Sequence, residues 1–262
     1  MRAKDYIKHL LAIENYSFSL EEIIEQTHSD RVALKFELAR LVEKMEIVNL
    51  RKGFYLIIPP RYSKSGLLPI QLYIEKLFKS LDRRYYLCHY SAAKFHGASH
   101  QQSQREYVMT ESPKLGDIKK KGMDIRFFTL SQWPSANISE RRSDAGIFRI
   151  SSPALTAIDL IHYQSKLGGI NRMLAVIEEL AEEISQQDLS ELLSWYPHKS
   201  SLQRLGFILE LVRPELASEA ILDLLKSEGY FPVLLSPTAF QKPGAVDNRW
   251  KVDVNVKLEN DL

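Results

Sequence analysis

Apolar residues recur at helical spacing from the start of the chain. Tyr6, Ile7, Leu10, Leu11 and Ile13 predict a helix over residues 2–13. Ser19 followed by Glu22 is a capping-box pair, so a second helix starts there with Leu20, Ile23 and Ile24 inward. After a short turn at Thr27, His28 and Ser29, Ser29 is placed to cap a third helix running to about Met45. Its apolar stripe is Leu34, Leu38, Leu41, Val42 and Met45. The period then changes. Ile47–Leu50 and Phe54–Ile58 are β-prone runs joined by Arg51, Lys52 and Gly53, the pattern of a hairpin. Pro59 and Pro60 close this unit and residues 63–69 read as a linker, which sets a domain boundary at residue 62.

Beyond residue 70 helical and strand-like patterns alternate. Residues 70–81 predict an amphipathic helix, 85–87 a short buried run, and 91–97 a helix ended by Gly97. Residues 105–110, 125–130 and 146–151 read as strands. Ser152 and Pro153 cap and start a helix to about Tyr163. Helices follow over 170–184, 189–196, 202–212 and 217–229. Residues 249–258 alternate strictly, predicting a strand with Trp250, Val252, Val254, Val256 and Leu258 inward. The expected fold class is α/β (α+β): an N-terminal winged helix-turn-helix at 1–62, then a mixed α/β domain at 63–262.

Composition narrows the picture. The 262 residues are 45% hydrophobic and 26% charged with 11 Gly and 11 Pro, which excludes collagen-like and disordered chains. The longest apolar runs, such as residues 53–60, fall far short of the ~20 residues a membrane span needs. The start of the chain lacks the apolar core of a secretory signal, and the single cysteine, Cys88, rules out an internal disulfide and a Cys-based zinc site. A cytoplasmic protein is expected, with no membrane partner.

Net charge is only +2, but its distribution is uneven. Residues 1–60 are neutral, residues 61–142 carry 15 basic against 7 acidic side chains, and residues 143–262 carry 11 against 17. The basic middle segment, with Lys119, Lys120 and Lys121 in a row and Arg141 beside Arg142, suits a polyanion; the same residues also read as solvated loop charges.

Three short helices followed by a hairpin with a basic tip have the order of a winged helix-turn-helix. Stepping 100° per residue from Leu34 places Val32, Lys35, Phe36 and Ala39 on the face away from the leucine stripe. A cation, small apolar groups and an aromatic ring suit a major groove, where lysine answers phosphate or guanine and Val32 or Phe36 meets a thymine methyl. Arg31 lies in the first turn, beside Ser29, where a recognition helix usually meets base edges. Arg51 and Lys52 at the hairpin tip would straddle the adjacent backbone. Ser29, Arg31, Val32, Lys35, Phe36, Ala39, Arg51, Lys52, Lys119, Lys120 and Lys121 are therefore the candidate DNA-binding residues. The other reading of this unit is a protein-contact or dimerisation module, and the acidic second helix (Glu21, Glu22, Glu25) opposes tight DNA binding by it alone.

Catalytic and metal signals are thin. His89, His96 and His100 are spaced for a metal, but Gly97 interrupts the helix that would align two of them, so structural histidines are the preferred reading. Asp247 and Asp253 form a carboxylate pair of the kind found in nucleotidyl transferases, but no Gly-Ser element precedes them. Phosphate-loop, dinucleotide and nucleophile-elbow motifs are absent. Cys88 beside His89 lies in an apolar context that suits an inert thiol. No catalytic residue, metal or cofactor is expected.

Four segments resemble the AbiEi-type antitoxins. Residues 85–97 (Tyr-Tyr-Leu-Cys-His-Tyr-Ser-Ala-Ala-Lys-Phe-His-Gly) are similar to that family's Tyr-Leu-Ser-His-x-Ser-Ala…His-Gly signature, with Cys88 where the family usually has serine. Residues 152–160 resemble its Ser-Pro-x-x-Thr…Asp element, 203–210 its Gln-Arg-Leu-Gly helix, and 249–255 its closing tryptophan strand. The resemblance, with a winged helix in front, implies an antitoxin of a type IV toxin–antitoxin (abortive infection) system. Such a protein neutralises a nucleotidyltransferase-like toxin without a stable complex and represses its own operon by binding promoter inverted repeats. It also implies that basic surface on the second domain helps hold DNA. The competing readings are a ligand-responsive winged-helix regulator without antitoxin activity, and an enzyme of the nucleotidyl-transfer class.

Overall fold

The computed structural model describes residues 2–64, 66–98, 105–120, 122–214, 216, 219–237 and 241–258. The fold is α/β, divided into two compact units.

The first unit comprises residues 1–86, 104–131 and 140–149. It opens with α1 (Ala3–Ala12), β1 (Ser17–Ser19), α2 (Leu20–Thr27), α3 (Arg31–Glu43), β2 (Ile47–Arg51) and β3 (Phe54–Ile57). Tyr6, Leu10, Ile23, Leu34, Leu38 and Leu41 meet Phe18, Ile47 and Ile57 in one core. The α2 capping box forms as its sequence predicts: Ser19 Oγ accepts from Glu22 N at 3.0 Å and Glu22 Oε2 from Ser19 N at 3.3 Å. β1 pairs with β3, making the wing a three-stranded sheet of order β1-β3-β2. This winged helix-turn-helix is followed by α4 (Ile74–Ser80), β4 (Tyr85–Leu87), β5 (Arg105–Glu111), β6 (Ile118–Lys120), β7 (Met123–Leu130), β8 (Ile138–Ser143) and β9 (Gly146–Ser151). These strands build a six-stranded sheet of order β6-β7-β5-β4-β9-β8, with β5 parallel and β6 antiparallel to β7.

The second unit comprises residues 87–103, 132–139 and 150–262. Its helices are α5 (His89–Phe95), α6 (Pro153–His162), α7 (Gln164–Leu167), α8 (Leu174–Glu183), α9 (Gln186–Leu193), α10 (Lys199–Val212) and α11 (Glu219–Glu228), and β10 (Val233–Leu234) pairs in parallel with β11 (Val252–Asp253). α6 is the central rod: every residue from Ala154 to Ile161 is buried. Ser152 Oγ accepts from Leu155 N at its start, and Pro153 occupies the first turn where no backbone donor is needed.

Several sequence expectations are corrected. The α3 cap is Asp30, not Ser29: Asp30 Oδ1 accepts from Val32 N and Ala33 N, both at 2.9 Å, because the helix starts one residue later. Met45 leaves the stripe and is 70% exposed, since the chain has turned out of the helix with Met45 at φ +58°. The helix expected over 70–81 is a 3-10 turn (Ile70–Leu72) followed by α4. The strand expected over 249–258 shrinks to β11. Trp250 and Val252 are buried as expected, but Val254 is exposed, because the backbone turns with Asn255 N on Asp253 O. The Asn255 side chain then takes over the pairing, donating to Ser236 O at 2.9 Å and accepting from Ser236 N at 3.0 Å. β1, β6 and β8 are strands that the sequence pattern did not signal.

Candidate nucleic-acid interface

α3 owes its orientation to its leucines. With Leu34, Leu38 and Leu41 held in the core, the opposite face emerges: Val32 is 61% and Phe36 67% exposed, and Lys35 and Ala39 are exposed between them. Large apolar side chains at that exposure on a short helix call for a partner surface. Arg31 lies at the start of the same helix, where its Nη2 meets Glu21 Oε1 at 3.0 Å. That exposed ion pair is of the weak surface kind and is readily exchanged for a phosphate. Ser29 is half-buried in the turn preceding Asp30.

The wing tip is a tight turn. Gly53 adopts φ +76°, a region where a side chain would be strained, and its carbonyl accepts from Leu20 N at 2.7 Å, pinning the hairpin to the start of α2. Lys52 is fully at the tip and exposed. Arg51 is not: as the last residue of β2 it turns back, half-buried, with its guanidinium 5.8 Å from the Phe127 ring centroid on β7. The expected pair straddling the backbone is therefore split between one exposed cation and one that packs on the sheet.

Lys119 and Lys120 are exposed on β6. Lys120 Nζ donates to Asn49 O at 2.9 Å and lies 3.4 Å from Asn49 Oδ1, so this strand braces the wing directly. Lys121 lies outside the described residues, as does His100. A further tie sequence reasoning missed is Lys76 on α4, which donates to Glu22 Oε1 at 2.7 Å and Ser17 O at 2.8 Å. No periodicity signals such a contact, because its partners are 54 and 59 residues apart.

The candidate chemical groups are occupied structurally. Cys88 and His89 are fully buried, with Cys88 Sγ 3.2 Å from His89 Nδ1, and burial pushes the thiol well up, aided by Asp159, so the nucleophilic thiolate is disfavoured. His96 Nε2 contacts Ser151 O at 2.8 Å. Asp253 Oδ2 accepts from Gly244 N at 2.6 Å. Among the described residues no three His, Cys, Asp or Glu side chains group as metal ligands, and no helix is long and apolar enough to cross a membrane.

The Gln-Arg-Leu-Gly run on α10 has a clear physical role in the second unit. Gln203 Nε2 donates to Phe231 O and Trp250 O, both at 2.9 Å, and Arg204 Nε donates to Leu234 O at 2.7 Å. A Cβ on Gly206 would lie 2.2 Å from Trp250 Cζ3, so only glycine lets the indole lie against the helix. Glu210 accepts from Trp250 Nε1 and Arg249 Nε. Residues 203–210 and 249–252 are thus two halves of one clasp that fastens the chain's last segment to α10.

Residues 85–211 match the family model of the AbiEi antitoxin C-terminal domain. That match places residues 85–211 in the AbiEi-type antitoxin family. The match spans the 85–97, 152–160 and 203–210 motifs, which build β4, α5, α6 and the α10 clasp. AbiEi antitoxins belong to toxin–antitoxin systems linked to abortive infection. No curated protein matches the chain significantly. A crystal structure of the RV2827C protein from Mycobacterium tuberculosis shares the fold, with a TM-score of 0.66 over 95% of this chain and 90% of that one at 16% identity. At that identity the likeness is one of fold.

Proposed function

We propose that this AbiEi family member is a cytoplasmic, non-catalytic antitoxin of a type IV toxin–antitoxin system that neutralises a nucleotidyltransferase-like toxin without a stable complex and represses its own operon. Residues 1–62 read promoter inverted repeats, with Ser29, Arg31, Val32, Lys35, Phe36 and Ala39 toward the major groove and Arg51 and Lys52 from the wing. Residues 63–262 carry the antitoxin activity and add Lys119, Lys120 and Lys121 to the DNA-holding surface. The observation that carries the reading is the outward face of α3, where Val32 and Phe36 stand exposed beside Lys35, in a chain whose other part is an AbiEi antitoxin domain. The Lys120–Asn49 contact supports it further, since it couples the basic strand to the wing.

Two measurements on the full chain test it: footprinting of the upstream promoter at low ionic strength, and growth rescue on co-expression with the adjacent toxin gene. Protected inverted repeats with rescue are the expected results. Repression without rescue would favour the ligand-responsive regulator, and an activity abolished by Asp253→Ala would favour the nucleotidyl-transfer enzyme.

A further inference from the structure

Two arginines of the first unit are left with unmet donors. Arg51 ends β2 with its guanidinium over Phe127, and its Nη1 is buried without an acceptor. Arg83, in the turn before β4, donates from Nη2 to the Pro113 carbonyl, while its Nε is buried and likewise unpartnered. Glu111, the carboxylate that acts on Arg83, is already engaged: it takes the Arg84 backbone N–H at 3.1 Å, Arg84 Nε at 2.9 Å and Arg84 Nη2 at 2.8 Å. Burial pulls the Arg83 guanidinium below the usual arginine range, Glu111 opposes this, and Arg51 lowers it further, which places the two cations within mutual electrostatic reach. Each orphaned buried donor costs free energy, and repulsion between the two like charges adds to the cost.

The geometry points to a phosphate-group site between Arg51 and Arg83. A phosphate supplies several acceptor oxygens and up to two negative charges, which match guanidinium forks bidentately and cancel the repulsion between them. Glu111 does not fill that role because it is committed to Arg84. The phosphate comes either from a nucleic-acid backbone beside the wing or from a free phosphorylated small molecule, and the inference stands whichever source supplies it.

The probe is inorganic phosphate. Thermal unfolding of the full chain is followed across a phosphate titration against chloride at matched ionic strength, for the parent, R51Q and R83Q. Phosphate stabilises proteins generically through exclusion from their surface, so the difference between parent and variants is the readout. The saturable part of the stabilisation should weaken about tenfold or more in each variant, as expected when a charge-assisted hydrogen bond is lost. Equal phosphate dependence in all three proteins overturns the site. R51Q leaves the Arg83–Pro113 hydrogen bond in place, so it remains informative if R83Q is poorly folded.

A second arm identifies the source. If exchanging chloride for phosphate weakens binding of a promoter duplex by the parent but not by R51Q, the site takes a backbone phosphate. If phosphate stabilises the parent and leaves DNA affinity unchanged, it takes a free phosphorylated molecule. Absence of any promoter binding would count against the repressor reading and leave the phosphate titration to be judged alone.

Discussion

The two compact units put their most distinctive side chains to opposite uses. In the first, Val32, Lys35, Phe36 and Ala39 project from α3 while Leu34, Leu38 and Leu41 hold the helix down. In the second, the motif residues are the buried ones: Gln203 and Arg204 spend their donors on backbone carbonyls and Gly206 exists to admit an indole. A family motif here marks how a segment is fastened. The surface proposed to meet DNA is written instead in exposure and charge.

The sharpest break of this contrast is Gly206→Ala. Alanine favours helix over glycine by about 1 kcal/mol. Against that gain stands a Cβ 2.2 Å from Trp250 Cζ3, a contact that forces the indole out of its bed or the helix out of line. Overpacking of this severity is expected to cost about 3 kcal/mol or more, including the Glu210 and Gln203 bonds that depend on the docked tryptophan. Urea unfolding followed by tryptophan fluorescence measures it, and a wild-type midpoint in the variant would show that the clasp is not what fastens residues 249–252.

Lys35→Ala tests the other unit. If Lys35 touches base edges, specific DNA affinity should fall by about 1–3 kcal/mol. Stability should stay within about 0.5 kcal/mol of the parent, because the side chain is exposed. Parallel binding and melting curves separate the two. A loss of stability as large as the loss of binding would mean that the outer face of α3 is structural after all.

The distance over which information is local decides how much of this was legible in the sequence. The winged helix read well because its signals are short-range: Ser19 with Glu22, leucines at three- and four-residue spacing, and a Gly53 turn between two β-prone runs. The boundary error at the α3 cap, Asp30 for Ser29, is one residue in a turn where two adjacent side chains are both good caps. Long-range contacts were invisible. Nothing near Lys120 or Lys76 announces that they brace the wing from 71 and 59 residues away. Arg51 was placed at the tip by counting along the loop, whereas the Phe127 ring that draws it inward lies on another sheet. The final strand failed for a related reason: alternation continued to Leu258, but Val233–Leu234 offers β11 only a two-residue partner.

A smaller effect comes from a part-buried polar cluster of the second unit. The His162 ring stacks on His198 with centroids 4.3 Å apart, and its Nδ1 lies 3.0 Å from Ser201 Oγ. Burial, helped by His198, Arg204 and Lys166, pushes the imidazole down from 6.5 to about 4. The unfolded chain therefore binds this proton more readily, and stability falls as pH drops from about 6.5 toward 4. The ring is only part-buried, so screening reduces the expected loss to on the order of 1–2 kcal/mol. His162→Gln should flatten that part of the stability–pH curve, while His198, also held low by burial, keeps some slope. An unchanged curve would remove the cluster as the source of acid sensitivity.

The mildest test concerns Lys52, and it sharpens the contrast because so little else depends on the residue. It stands exposed at the wing tip, so removing it should leave folding intact. A cation on a backbone phosphate releases about one counterion, so Lys52→Ala should flatten the dependence of log affinity on log salt by roughly one unit. The weakening should be uniform across sequences, since phosphate contacts position a protein without specifying bases. Measured against Lys35→Ala, the pair forms a two-way discrimination: one variant relaxes sequence preference, and the other lowers the salt slope. If Lys52→Ala instead altered preference among operator sequences, the tip would be reading bases, and the division of labour between α3 and the wing would have to be reversed.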